Sequence, residues 1–344
     1  MKPIRIALIG VNEHSHCVQV HTRIQQLKDL FEVVGIVFPE NEKSRLEATV
    51  QRLYNTQDSL GVPRLPELSL EEVLADPSIE AVAVETDEIY CTKYALLAAK
   101  AGKHVHMEKP GGTVLADFEK LIAAAQEKGN VLHFGYMYRY NPYIASLIKR
   151  VKQGELGEII SVEAQMNCIH PKEVRQWLQN FPGGMMFFLG CHLIDLILTI
   201  QGKPEKIIPL NKCSGLDVTD CKDFGMAVFE YKNGVSFAKA SAVELGGFAR
   251  RQLVVTGSKA SVELNPLEWY LPNDPTYEFL YTVKTERTIT DWNEPSPSES
   301  CDPVNRYRTM MASFAKMVRG EMKNPYPLHY ELELYKTTLK ACGE

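Results

Sequence analysis

The turn Gly10-Val11-Asn12-Glu13-His14-Ser15 follows a short apolar run, Ile4 to Ile9, and precedes Val20, Ile24, Leu27 and Phe31 at helical spacing. A dinucleotide-binding fold places GxGxxG here, because glycines let the backbone approach a pyrophosphate at a helix N-terminus. Only the first glycine is present. Asn12 tolerates a left-handed turn and Ser15 is small enough for close helix packing. By itself the motif reads as an ordinary strand-to-helix turn. A second stretch, Lys103 to Pro110, is a strand running into Glu108-Lys109-Pro110 at its carboxyl end, the side of an open α/β sheet where ligands bind. His14-Ser15-His16 offers two imidazoles at i and i+2. They need not converge in a turn, and no cysteine or carboxylate cluster completes a tetrahedral set, so no metal is expected. One of these histidines is expected to face an anion at the helix N-terminus.

The elements that must position these residues alternate. Strand-like runs at Phe31 to Phe38, Ala81 to Val84, Val105 to Met107 and Val131 to Phe134 are separated by helical patterns over Asn41 to Leu53, Leu70 to Leu74, Tyr94 to Ala101 and Phe118 to Ala125. Gly102 and Gly129 stand where left-handed helix caps are wanted. This alternation predicts a parallel, doubly wound sheet over residues 1–135. After Tyr140-Asn141-Pro142 a helix to about Lys152 leads to a strand, Ile159 to Met166, and a helix over Gly184 to Ile200. Strand-length runs follow at Phe224 to Tyr231, Val235 to Val243, Gln252 to Val255, Ser261 to Leu264 and Phe279 to Val283, with turns such as Lys232-Asn233-Gly234 between them. A largely antiparallel open sheet in an α+β domain over 136–344 is predicted, closed by helices at Arg306 to Val318 and Glu331 to Lys340. The boundary is expected between Phe134 and Pro142.

Composition narrows the function. At 344 residues the chain exceeds the size at which one core stops growing, and 45% hydrophobic with 24% charged residues is a globular profile. A net charge of −5 without basic runs gathers no nucleic acid. No apolar window is long enough to span a membrane. The first residues enter a strand without the regions of a signal peptide, so a cytoplasmic location is expected. Eight cysteines without a Cys-x-x-Cys pair are expected to be mostly reduced and structural. The nearest approach to low complexity is the loop 293–300.

Taken in order, Ala7-Leu8-Ile9-Gly10, Val82-Ala83-Val84-Glu85-Thr86, Glu108-Lys109-Pro110, Arg139-Tyr140-Asn141-Pro142, Gly154-Glu155-Leu156-Gly157-Glu158-Ile159 and Gly190-Cys191-His192-Leu193-Ile194-Asp195 run over nearly the whole chain. In these motifs the chain resembles the Gfo/Idh/MocA oxidoreductases. The resemblance implies an N-terminal Rossmann domain, a C-terminal substrate and oligomerisation domain, and NAD as cofactor, with NADP possible. It also implies that Lys109 contacts both the nicotinamide ribose and the reacting hydroxyl, and that His192 is the acid-base group. Beside a cationic nicotinamide, desolvation and like charge would lower the Lys109 pKa and let it stabilise an alkoxide.

Several positions depart from the family pattern. Where family members commonly show Asp-x-Gly-x-His, this chain has Phe188-Leu189-Gly190-Cys191-His192, and Phe188 cannot hold an imidazolium. Asp195, at i+3 from His192, is the nearest candidate orienter, equally readable as a helix or interface residue. Where the second strand usually ends in a ribose-binding acid stands Phe38-Pro39-Glu40, so Glu40 would substitute; the missing arginine tilts slightly toward NAD. Thr86-Asp87-Glu88 replaces Thr-Pro-Asn and brings acids near the cofactor path, with an N-capped loop as the plainer reading. The cofactor-facing set is thus Gly10, Asn12, Glu13, His14, Ser15, Phe38, Glu40, Thr86, Asp87, Glu108 and Lys109, with the pyrophosphate over Gly10 to Ser15. Tyr138, Arg139, His170, Trp177 and Phe188 are the substrate-facing candidates, since aromatic faces suit a sugar ring, although each could be core. The expected reaction is hydride transfer between the nicotinamide and a secondary hydroxyl or keto group of a sugar, sugar derivative or polyol. Redox-neutral glycoside cleavage and a non-catalytic dinucleotide-binding regulator remain open alternatives. A homodimer or homotetramer through the C-terminal sheet is expected.

Overall fold

The computed structural model describes residues 2–218, 220–271, 278–288 and 295–344. Of the loop 293–300, Asn293 and Glu294 lie outside the described residues, and Ser298–Ser300 is a strand. The chain divides into two units, Met1–Tyr136 with Tyr307–Glu333, and Met137–Arg306 with Leu334–Glu344. This corrects a contiguous second domain over 136–344. Tyr307–Glu333 belongs with the first unit because Phe314 stacks on Phe31 and His133, and Arg319 donates to the carbonyls of Lys2 and Asp29.

The first unit is built on β1 (Ile4–Ile9), β2 (Phe31–Val37), β3 (Ala81–Val84), β4 (His104–Met107) and β5 (Leu132–Phe134). All are parallel, in the order β2-β1-β3-β4-β5. Parallel strands covered on both faces read as unbroken apolar runs, and every residue of β3 is buried. Helices α1 (Cys17–Gln26), α2 (Glu42–Arg45), α3 (Glu47–Leu60), α4 (Leu70–Ala75), α5 (Glu88–Lys100) and α6 (Leu115–Lys128) make the crossovers. α4 opens on a capping box between Ser69 and Glu72, and α6 ends at Gly129 with φ +69°, where a side chain would be strained. The helix expected over Asn41 to Leu53 is broken at Leu46 into α2 and α3, and α5 starts at Glu88, well before Tyr94. Strand order reverses between β1 and β3, so the topological switch point, where such sheets take ligands, lies between the β1 and β3 turns.

The second unit carries α7 (Pro142–Lys152), β6 (Ile159–Asn167), α8 (Lys172–Trp177), α9 (Cys191–Gln201), β7 (Lys206–Pro209), β8 (Phe224–Tyr231), β9 (Gly234–Ser241), β10 (Gln252–Gly257) and β11 (Ser261–Leu264). β12 (Trp269–Tyr270), β13 (Phe279–Tyr281), β14 (Val283–Arg287), β15 (Ser298–Ser300) and β16 (Val304–Asn305) follow. Its main sheet has the order β15-β14-β11-β10-β6-β9-β8-β7, antiparallel except for the β6–β9 pair. The run Phe279 to Val283 splits at Thr282 between two sheets, because Thr282 turns inward to donate its hydroxyl to the Leu267 carbonyl. α9 packs on β6 and β9 and is apolar nearly all round, as a helix buried against a sheet must be. The segment just before it, Met186–Gly190, is a π-helical turn rather than the continuous α-helix expected from Gly184.

Candidate active site

In the first unit the β1 turn is tight and internally bonded. Gly10 has φ +86°, and a Cβ there would stand 2.5–2.8 Å from Thr86 atoms, two of them backbone, so only glycine fits. Its carbonyl meets His21 Nε2 at 2.7 Å. The Val11 amide donates to Glu42 Oε2 at 2.9 Å, the Asn12 amide to Cys17 Sγ at 3.2 Å, the His14 amide to Asn12 Oδ1 at 2.8 Å and the Cys17 amide to Ser15 Oγ at 3.1 Å. The amides of Glu13 and Ser15 find no acceptor among the described residues, and both residues reach solvent. The turn therefore fits an anion, but with fewer available amides than a glycine-rich loop supplies. His14 Nε2 stands 3.3 Å from Glu13 Oε1; burial holds its pKa below the usual histidine value.

The β3 turn faces this one. Thr86 donates its hydroxyl to Glu42 Oε1, and Asn12 Nδ2 donates to Glu88 Oε2 at 2.8 Å. At the end of β4, Lys109 Nζ lies 3.5 Å from Glu108 Oε1, and both are largely buried. Four acids thus crowd the carboxyl ends of β1, β3 and β4. Burial is the main cause of their raised proton affinity, pushing Glu42, Glu88 and Glu108 to about 7 and Glu85 to about 8. Lys109 opposes the rise at Glu85, Glu88 and Glu108. Behind them His106 Nε2 stands 3.3 Å from Glu85 Oε1, and His106 Nδ1 meets His133 Nδ1 at 2.7 Å.

Three cofactor-facing candidates have protein surroundings of their own. Glu40 spends its carboxylate on Lys93 Nζ at 2.6 Å and Tyr94 Oη at 2.7 Å, bonds that hold it below the usual carboxylate range. Asp87 pairs with Arg45 at 2.8 Å, and as the residue before α5 it makes no side-chain cap bond. Phe38 follows β2 and is half-buried. Sequence reasoning misses Glu42, which sits in an apparently solvated charged segment yet is fully buried against the β1 turn. It also misses Glu85 as a buried acid.

In the second unit, Asp195 accepts a bidentate pair from Arg139, Nε at 2.9 Å and Nη2 at 2.8 Å, with both side chains almost fully buried. That pairing joins the proposed histidine orienter to a proposed substrate residue. The His192 ring meets Tyr138 edge-on at 5.5 Å between centroids. Phe188 packs in an aromatic cluster, edge-on to Trp177 at 5.0 Å and stacked on Phe181 at 6.5 Å. The four-residue spacing from Phe188 to His192 crosses a π turn, which does not keep the α-helical face. His170 is half-buried, its amide donating to the Ala242 carbonyl at 2.8 Å.

Unforeseen from sequence is a charged core around Glu268. This fully buried carboxylate is held by Arg251 and, at 3.1 Å, by Arg306, which also donates to Tyr270 Oη at 3.0 Å. Burial would raise the Glu268 pKa, but the two guanidiniums outweigh it and hold it below the usual carboxylate range. Burial, then the nearby Glu268 charge, pushes the Tyr138 hydroxyl well above its ordinary value.

Comparison with known proteins agrees with this architecture. Residues 4–136 match the model of the Gfo/Idh/MocA oxidoreductase family, NAD-binding Rossmann fold, and residues 144–263 match a Gfo/Idh/MocA C-terminal domain. The chain is 25% identical over 257 residues to a 1,5-anhydro-D-fructose reductase from Ensifer adhaerens, covering 73% of each protein. It is 29% identical over 180 residues to an NADP-dependent scyllo-inositol 2-dehydrogenase from Bacillus subtilis, covering 52% of this chain and 48% of that one. An inositol dehydrogenase homologue from Azotobacter vinelandii, solved with NADH and myo-inositol, has the same fold at TM-score 0.76 and 20% identity, over 99% of this chain and 96% of that one. With both of its domains matched in order, the chain belongs to the Gfo/Idh/MocA family of NAD(P)-dependent oxidoreductases.

Proposed function

We propose that this chain is a dehydrogenase or reductase acting on a secondary hydroxyl or keto group of a sugar, sugar derivative or polyol. The observation that carries the reading is the buried Lys109 ammonium at the carboxyl end of β4, on the ligand side of the sheet. The relatives named for 1,5-anhydrofructose and scyllo-inositol point to the substrate class. Bound nicotinamide supplies hydride exchange at carbon. Gly10 to Ser15 hold the pyrophosphate through the Glu13 and Ser15 amides, and Thr86, Glu108 and Lys109 line the path beyond. Lys109 polarises the reacting oxygen, and His192 takes or returns the hydroxyl proton. Asp195 fixes Arg139, and through it the start of α7, rather than acting on substrate. Tyr138, Trp177 and Phe188 supply apolar faces to the ring.

In the main sheet of the second unit, Val228, Phe237 and Val254 share one half-buried face. That face is the proposed contact of a homodimer or homotetramer, to be read by light scattering. Among the described residues no helix is long and apolar enough to cross a membrane; a cytoplasmic site of action is part of the proposal.

Native mass spectrometry for retained dinucleotide, followed by a sugar and polyol panel monitored at the nicotinamide absorbance, tests the activity. Lys109→Ala should lower kcat/KM by roughly two to four orders of magnitude, the scale of a positioned charge-stabilising group. An inert wild type on the whole panel, with dinucleotide bound, would defeat the reading.

A further inference from the structure

The switch point between β1 and β3 is bridged by two buried acids. Glu42 reaches from α2 to accept the Val11 amide and the Thr86 hydroxyl, and Glu88 at the start of α5 accepts from Asn12 Nδ2. Both side chains are at most 1% exposed, and Glu88 Oε1 has no hydrogen-bond partner among the described residues. The charges around them do not compensate. Glu42 faces Asp87 from the α5 side and Arg45 from its own helix, but Asp87 already holds the Arg45 guanidinium at 2.8 Å. Glu88 faces Lys109 and Glu108 from β4 and Glu85 from β3, and Lys109 lies against Glu108. A pyrophosphate entering this crevice brings further negative charge beside two acids whose neighbouring cations, Arg45 and Lys109, already lie against Asp87 and Glu108.

We propose that the dinucleotide binds this chain with uptake of protons onto Glu42 and Glu88, so that these two acids are cofactor-binding residues in their neutral form. It rests on the reading that the first unit takes a nicotinamide dinucleotide. The chemistry is a proton transfer alone. Solvent protonates a carboxylate oxygen, which removes a negative charge beside the entering anion. Burial already lifts both groups to about 7. A bound phosphate raises them further, and by linkage every proton gained on binding makes affinity fall as pH rises. A glutamine at either position removes the charge and keeps one amide oxygen as acceptor.

The test is calorimetric titration of the full-length protein with NAD⁺, and in parallel NADP⁺, from pH 6 to 9 in pairs of buffers with different ionisation heats. Net proton uptake is expected near neutrality, with affinity falling by up to roughly tenfold per pH unit per coupled proton above pH 7.5. E42Q and E88Q should each reduce the uptake and flatten the pH dependence, with tighter binding than wild type at pH 9. A thermal melt checks that each variant folds, and either one alone suffices. Binding without proton uptake, at an affinity independent of pH, overturns the coupling and leaves the dinucleotide reading standing. No binding heat for either dinucleotide at any pH overturns both.

Discussion

Glu85 in the first unit and Glu268 in the second are both fully buried carboxyl groups, yet their surroundings drive them in opposite directions. Glu268 is gripped by Arg251 and Arg306, and stays below the ordinary carboxylate range although burial opposes it. Among the described residues Glu85 has no hydrogen-bond partner on either oxygen, with His106 Nε2 at 3.3 Å, and burial pushes it up to about 8. Burial is common to both; the supply of cations is not. A carboxylate built together with its guanidiniums belongs to the permanent structure of its unit. A carboxyl left short of partners at the carboxyl end of β3 holds its proton to higher pH, the kind of imbalance on which the proposed cofactor site draws.

The contrast can be broken from either side. Glu268→Gln should have the largest effect on stability, about 3–5 kcal/mol, because two buried guanidiniums lose their counter-charge. Chemical denaturation reads this, and a loss below 1 kcal/mol would show that the network is not what holds β12 and the segment around Arg306. Phe188→Asp should cost about 3 kcal/mol by removing an aromatic body and burying a carboxyl among Trp177 and Phe181. An unchanged stability would show that the aromatic cluster does not depend on Phe188.

Glu85→Gln acts through pH. A carboxyl whose folded pKa of about 8 exceeds its unfolded value of 4.5 contributes stability that is complete below 4.5 and is lost as pH rises through 8. Wild type should therefore melt several degrees lower at pH 8.5 than at pH 6, and the glutamine variant should lose much of that slope. An unchanged slope would remove Glu85 from the set of raised acids. Outside both networks, Ser69→Ala should cost only about 1 kcal/mol through its helix cap, at all pH values above the acid range.

Much of the frame is legible in the sequence. β3, β8 and β11 follow the apolar runs residue for residue, because strands buried on one or both faces write their burial into residue type. Lys109 is legible as well, since a strand running into Glu-Lys-Pro can be placed at a sheet end without knowing its neighbours. Glu42 and Glu268 are not. Glu42 sits in a charged stretch with the polarity of surface chain, Glu268 stands alone in the apolar run Leu267 to Leu271, and only tertiary placement supplies the partners of each. The pairing of Asp195 with Arg139 is hidden for a different reason: helical spacing suggests a partner at i−3, while the observed one is 56 residues away. The π turn before α9 leaves no periodic trace in five residues, so the relation of Phe188 to His192 cannot be read from spacing.

The opposed states of the two buried acids can be observed directly by titrating the protein with carbon-13 at the glutamate carboxyls, with Glu85→Gln and Glu268→Gln used to assign the resonances. The Glu85 carboxyl should remain largely protonated at pH 6.5 and titrate above 7, while the Glu268 signal should stay at its ionised position from pH 5 upward. A Glu85 signal already ionised at pH 6, or a Glu268 signal that titrates above pH 5, would contradict the division between an uncompensated ligand crevice and a compensated core.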